Sequence, residues 1–221
     1  MRIINPKKTI ESILTASEKL FLKKGYEKTT TQEIVNETGI SKGTIFHHFK
    51  SKEDILASVL NRHNNQTAQD MWLWIEEMEA RETMETNQLT AKEKIVNLLN
   101  RFYDNAETTP LSKMALISGS PRIIIEDLKG WAEKISPIIA KLIHEGNKDG
   151  SIKTEFPEEC AQLFNLLFCI WSDPVILECD SDSLHRRLRF IQHTMKLLGV
   201  DIASDEFIKK SLKFAEGFYN E

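Results

Sequence analysis

Cysteine, glycine, proline and long apolar runs are all scarce in this chain, and each scarcity excludes something. Cys160, Cys169 and Cys179 are odd in number and spaced unlike Cys-x-x-Cys, so packing in a core ranks ahead of a disulfide, a metal site or a redox pair. No stretch approaches the roughly 18 uncharged residues that span a bilayer, so no membrane partner is expected. Residues 1–8 lack the apolar segment of a signal peptide, and the expected location is the cytoplasm. Asn36-Glu-Thr38 and Asn65-Gln-Thr67 match the glycosylation pattern only formally, because nothing points to secretion. The histidines at 47, 48, 63, 144, 185 and 193 show neither Glu-x-x-His nor His-Glu-x-x-His spacing, and Gly-x-Ser-x-Gly and Gly-rich phosphate loops are missing. An enzyme is therefore not expected, and neither a metal nor another cofactor is implied. Strand alternation and internal repeats are also lacking.

What is present is helical periodicity. With 221 residues and 41% hydrophobic content, the chain can bury a sizeable core, and a short N-terminal module followed by a larger helical domain fits better than a sheet-based unit. Ile10, Ile13, Leu14, Leu20 and Phe21 share one helical face between about Lys7 and Lys24, with Gly25 past its end. Charge divides the chain in the same place. Residues 1–53 hold ten basic and six acidic side chains, a net +4, so the rest of this −4 chain carries −8. A basic end on an acidic body steers that end toward a polyanion, although Lys23 and Lys24 taken alone read as a solvated helix face.

Between Thr29 and Leu56 three short helical pieces are punctuated by Gly39 and Ser51. Thr30 and Glu33 have capping-box spacing, which starts a helix at Thr31; Gly39 offers a left-handed closing residue, and Ser41 caps the next helix. In that helix Ile45 and Phe49 fall on one face, while Lys42, Gly43, Thr44, His47 and His48 fall mostly elsewhere. The second face suits a major groove. Lys42 favours phosphate, Gly43 permits close backbone approach, Thr44 offers a hydroxyl and a methyl to base edges, and Phe46, His47 and His48 add flat or hydrogen-bonding surface. Lys52 lies at the start of a further helix, where a second phosphate can be held.

From Ile10 to Leu56 the chain resembles the N-terminal domain of the TetR family of bacterial transcriptional regulators. The agreement runs in order through FLKKGYEKTT, TQEIVNETGISKGTIFHHF and KSKEDIL, about a quarter of the chain. One departure is Phe46 or His47 where family members often carry Tyr; Phe46 cannot donate a hydrogen bond to phosphate. The resemblance implies that Lys42, Gly43, Thr44, Phe46 and His47 enter the major groove of double-stranded DNA. It also implies phosphate contacts from Thr30, Thr31, His48 and Lys52, with Ile34, Ile40, Ile45 and Phe49 in the core. The implied fold is all-α: a three-helix DNA-binding domain over 1–54 joined by a long helix to a helical effector-binding and dimerisation domain over 55–221.

Helix four is expected from Lys52 into the seventies, with a weak point near Asn64-Asn65 and no flexible linker, so its displacement would reach the DNA-facing end. Thr90 and Glu93 form a second capping box before Ile95, Leu98, Leu99, Phe102 and Tyr103. Thr109-Pro110 opens a short helix through Ile117, and Ser120-Pro121 a longer one toward His144 that Pro137 kinks. Three more helices are expected over about 157–178, 184–198 and 205–218. Trp72, Phe102, Tyr103, Met114, Trp131, Phe168 and Trp171 read either as core or, as the resemblance implies, as the lining of a pocket for a small hydrophobic effector. The helices near 157–178 and 184–198 are the expected homodimer contact, through Leu163, Leu166, Leu167 and Ile170 on one and Leu184, Leu188, Ile191, Met195 and Leu198 on the other; each set can equally face the chain's own core. The implied function is a repressor released from a near-palindromic operator by its effector, against a helix-turn-helix regulator that answers to a protein partner or acts as an activator.

Overall fold

Helix boundaries in the computed structural model fall where capping residues stand. It describes residues 6–82, 88–104, 118–174 and 176–219, and all regular structure among them is helical. The elements are α1 (Pro6–Lys24), α2 (Thr31–Thr38), α3 (Lys42–His48), α4 (Lys52–Glu82), α5 (Ala91–Asp104), α6 (Pro121–Lys134), α7 (Ser136–Asp149) and α8 (Pro157–Leu166). A π-helical turn (Leu167–Trp171), α9 (Ser181–Leu197) and α10 (Asp205–Tyr219) complete them. No described helix is long and apolar enough to cross a membrane.

Contacts divide the chain into two units, residues 1–66 with 107–130, and residues 67–106 with 131–221. In the first unit Ile13, Leu14, Phe21, Ile34, Ile45, Phe49, Ile55, Leu56, Val59 and Leu60 form one apolar cluster, with Ile40 packed on its edge. Ile123 of α6 belongs to the same cluster and is fully buried. Polar contacts hold that part of α6 in place: Ser120 donates to Glu53, Arg122 pairs with Asp54 at 3.0 Å, and Asn64 Nδ2 donates to Asp127 Oδ1 at 2.9 Å. Asn64 is itself buried, and a Cβ on Gly130 would lie 2.7 Å from its amide nitrogen, so glycine permits the close crossing. The weak point expected at Asn64-Asn65 lies beside the division between the two units, which falls after Gln66. Helix α4 runs through it unbroken.

Two expectations are corrected. The helix anticipated from Pro121 to His144 is two helices with a junction at Ile135, and Pro137 stands in the first turn of α7. Proline has no amide proton, and its ring would meet the carbonyl of residue 133, so it starts a helix more readily than it continues one. The helix anticipated to Glu178 ends its regular turns at Leu166, passes through the π-helical turn and stops at Ser172. Asp173 precedes Pro174, which disfavours helical backbone at Asp173. The short helix expected over 109–117 lies outside the described residues.

The second unit is built on Ile95, Leu98 and Leu99 of α5, Ile138, Ile139, Leu142 and Ile143 of α7, Phe164 of α8 and Phe207 and Ile208 of α10. The Thr90–Glu93 capping box forms as expected, with Thr90 N donating to Glu93 Oε2 at 2.8 Å. Cys160 packs in this core, and all three cysteines are free thiols.

Candidate nucleic-acid interface

Helix α2 begins with a complete capping box. Glu33 N donates to Thr30 Oγ1 at 3.3 Å, and Thr30 N donates back to Glu33 Oε2 at 2.9 Å. Thr30 also directs its hydroxyl to Glu33 Oε2, so both of its donors are engaged within the protein. Gly39 closes the helix at φ +67°, a conformation that side chains other than glycine rarely adopt. Ser41 then caps α3 by accepting from Thr44 N at 3.2 Å. These three local devices set where the two helices of the turn begin and end.

On α3, Ile45 is 1% exposed and Phe49, immediately after the helix, is 7% exposed. At about 100° per residue, Gly43 and His47 lie opposite that buried line, with Thr44 and Phe46 on either flank. Lys42, Gly43, Phe46 and His47 are exposed, and Thr44 and His48 are half-buried. The Lys42 ammonium reaches over the Phe46 ring, 5.8 Å from its centre, and the His47 and His48 rings meet edge to face at 5.3 Å. One face thus carries a cation, two imidazoles and an aromatic ring around a gap left by Gly43.

Gly43 is informative because the fold does not require it. Its φ is not positive, and an added Cβ would have only Ser41 Oγ near it, at 4.0 Å. Glycine inside a helix costs about 0.5–1 kcal/mol relative to alanine. No atom of the head fills the space beside it.

Lys52 differs from the simple phosphate ligand expected of it. Its ammonium donates to the carbonyl oxygens of Tyr26 at 2.8 Å and Glu27 at 3.3 Å and lies over the Tyr26 ring. An ammonium has three donors, so one proton remains for an external acceptor. Two lysines of the basic end are also paired: Lys24 with Glu33, and Lys19 with Glu37 at 2.6 Å. Hydrogen bonds from Lys24 and Thr30 bring the Glu33 carboxyl down to about 2. Glu33 was legible in the sequence as a cap; its bridge to α1 was not.

In the second unit Trp72, Tyr103, Trp131, Phe168 and Trp171 all pack against the core cluster, so each is at least partly structural. Tyr103 sits edge to face with Phe168 at 6.3 Å and accepts a hydrogen bond from Ser211, and burial pushes its phenol well above the ordinary range. The side chain of Phe102, and Met114 altogether, lie outside the described residues. A cavity of about 520 Å³ opens elsewhere, between α7 and α8, bordered by Lys141, His144, Glu145, Lys148, Glu158 and Gln162 rather than by the expected aromatics.

The residues expected at a dimer contact divide. Leu184, Leu188, Ile191 and Met195 are at most 3% exposed and form part of the chain's own core, the second of the two readings the sequence left open for them. They occupy the apolar stripe of α9, and a helix on a domain core turns that stripe inward. The apolar side chains left outside on these elements are Leu166, Phe190, Leu197 and Leu198.

Geometry therefore defines a compact helix-turn-helix head with one open polar face. The profile described as "Bacterial regulatory proteins, tetR family" matches residues 13–59, the same segment. Over this segment the chain is similar to the tetR family of bacterial regulatory proteins. It is 40% identical over 62 residues to the HTH-type transcriptional regulator QacR of Staphylococcus aureus, a match covering 28% of this chain and 32% of that relative. The whole fold is similar to RolR crystallised with resorcinol, with a TM-score of 0.63 at 14% identity over 93% of this chain and 94% of that one. It is also similar to FadR of Bacillus subtilis in complex with stearoyl-CoA, with a TM-score of 0.52 at 20% identity over 87% and 98% of the two chains. The curated match spans about a third of its relative, and the structural likenesses extend the shared all-helical fold to the second unit.

Proposed function

We propose that this chain represses transcription by binding a near-palindromic operator as a homodimer, and that a small hydrophobic effector releases it. The observation that carries this reading is the unfilled space at Gly43, kept in the middle of an exposed face bearing Lys42, Phe46 and His47. Groove contact falls to Lys42, Gly43, Thr44, Phe46 and His47. Backbone contact falls to Thr31, His48 and the remaining donor of Lys52, and Thr30 joins them when its hydroxyl turns from Glu33.

A single short reading helix covers few base pairs. Two copies spaced about one helical turn, roughly 34–36 Å, read a palindrome, which gives dimerisation a physical motive. The outward apolar residues Leu166, Phe190, Leu197 and Leu198 on and beside α8 and α9 are the candidates for that contact. Reading is assigned to residues 1–54 and effector binding and dimerisation to 55–221. The likeness to folds crystallised with resorcinol and stearoyl-CoA supports a ligand in the second unit, near Trp72, Tyr103, Trp131, Phe168 and Trp171.

The test is selection of binding sequences from a random duplex pool by the purified chain, with footprinting on the DNA flanking its own coding region. Enrichment of an inverted repeat, bound with a salt slope of about −0.9 per phosphate neutralised, is the expected result. Recovery of no common sequence, or of a single unrepeated half-site bound by a monomer, overturns it.

A further inference from the structure

We propose that Thr44 selects a thymine through its methyl group, its hydroxyl being engaged by Ser41. This rests on the assignment of α3 to the major groove. Ser41 Oγ lies 2.8 Å from Thr44 Oγ1 and also accepts from Thr44 N at 3.2 Å, so a single oxygen fixes both the start of the helix and the side chain of Thr44. The substituents on a threonine Cβ occupy staggered positions. With Oγ1 turned back to the cap, the Cγ2 methyl is the group that remains to meet a base.

Its surroundings favour that use. Gly43, the preceding residue, has no side chain to screen it, and Thr44 flanks the Gly43–His47 line on the open side of α3. A free threonine hydroxyl gives and accepts hydrogen bonds and so suits several base edges. A methyl discriminates, because thymine alone presents a C5-methyl group in the major groove. Engaging the hydroxyl at Ser41 therefore converts an ambiguous reader into an apolar one.

The experiment uses the full chain and an operator obtained by selection from random duplexes. Each thymine of the half-site is replaced singly by deoxyuridine, which lacks only the C5 methyl. The wild-type protein should lose about fourfold in affinity at one thymine per half-site, the worth of one buried methyl. Thr44→Val keeps the methyl and should show the same loss at the same position. Thr44→Ser keeps the hydroxyl and should bind the thymine and uracil duplexes equally. Persistence of the uracil penalty in Thr44→Ser, its disappearance in Thr44→Val, or indifference to uracil at every position overturns the proposal. Failure to enrich any sequence is a different result: it removes the DNA-reading assignment itself, and this proposal with it.

Discussion

The ammonium of Lys52 stands 4.1 Å from the centre of the Tyr26 ring and 2.8 Å from the Tyr26 carbonyl oxygen, which ties the start of α4 to the turn after α1. The same side chain is a candidate phosphate contact, so its removal should act on two observables. Lys52→Met should lower the stability of the head by about 1–2 kcal/mol, from a lost cation–π contact and charged hydrogen bonds. It should also weaken binding by a similar factor on every DNA sequence and reduce the salt slope by about one phosphate. Urea titration and binding at several salt concentrations check both parts. A change in sequence preference would contradict the role assigned to this lysine.

Gly43→Ala should separate folding from binding. The added methyl enters open space next to Ser41 and removes backbone freedom from the unfolded chain, so stability should rise by about 0.4–1 kcal/mol. Affinity for the selected operator should fall at least tenfold as the methyl blocks close approach. Thermal unfolding and gel retardation of the same preparation give the two readouts, and unchanged affinity would remove the reason offered for this glycine.

Ile123→Ala tests whether α6 completes the head. Ile123 is fully buried in the cluster that holds Ile34 and Ile45, so its truncation should cost about 2–5 kcal/mol. The four tryptophans, at 72, 74, 131 and 171, all belong to the second unit, and their fluorescence is a poor witness. Hydrogen exchange is the better one: protection in α2 and α3 should drop more than in α7 and α8. An equal drop across the chain would argue against a local role.

Acid should release the Glu33 cap. Its carboxyl is held at about 2, below its ordinary value of 4.5, so its stabilising contribution is complete above the ordinary value and is lost as pH falls toward 2. The stability gap between wild type and Glu33→Gln should therefore be constant above about pH 5 and close between 4.5 and 2. Urea midpoints measured at intervals from pH 7 to pH 2.5 check this, and a gap that widens in acid would reverse the sign.

The head was legible because its determinants are local. Thr30 with Glu33, Gly39, and Ser41 are each within four residues of the backbone they fix, and Ile45 with Phe49 is one helical step. Long-range partners were not legible. Nothing near Ile123 announces that it packs with residues more than sixty positions earlier, and the buried Asn64 reads as a break until Asp127 is placed beside it. The apolar stripe of α9 was found correctly, yet a periodic stripe says only that a face is buried and not against what. Ring-rich segments of the second unit carry the same ambiguity, since Phe164, Phe168 and Phe207 lie together as ordinary core.

The contribution of α6 to the head bears on how such proteins can be recombined. A chimera made by cutting after residue 66 and grafting the N-terminal segment onto another body would carry the reading helix but leave behind Ser120, Arg122, Ile123 and Asp127, the four side chains that brace α4 from outside. The transplant would arrive with a missing keystone. Exchanging specificity between relatives thus calls for moving two discontinuous stretches together, or for altering only the outward residues of α3 and leaving the scaffold as it stands.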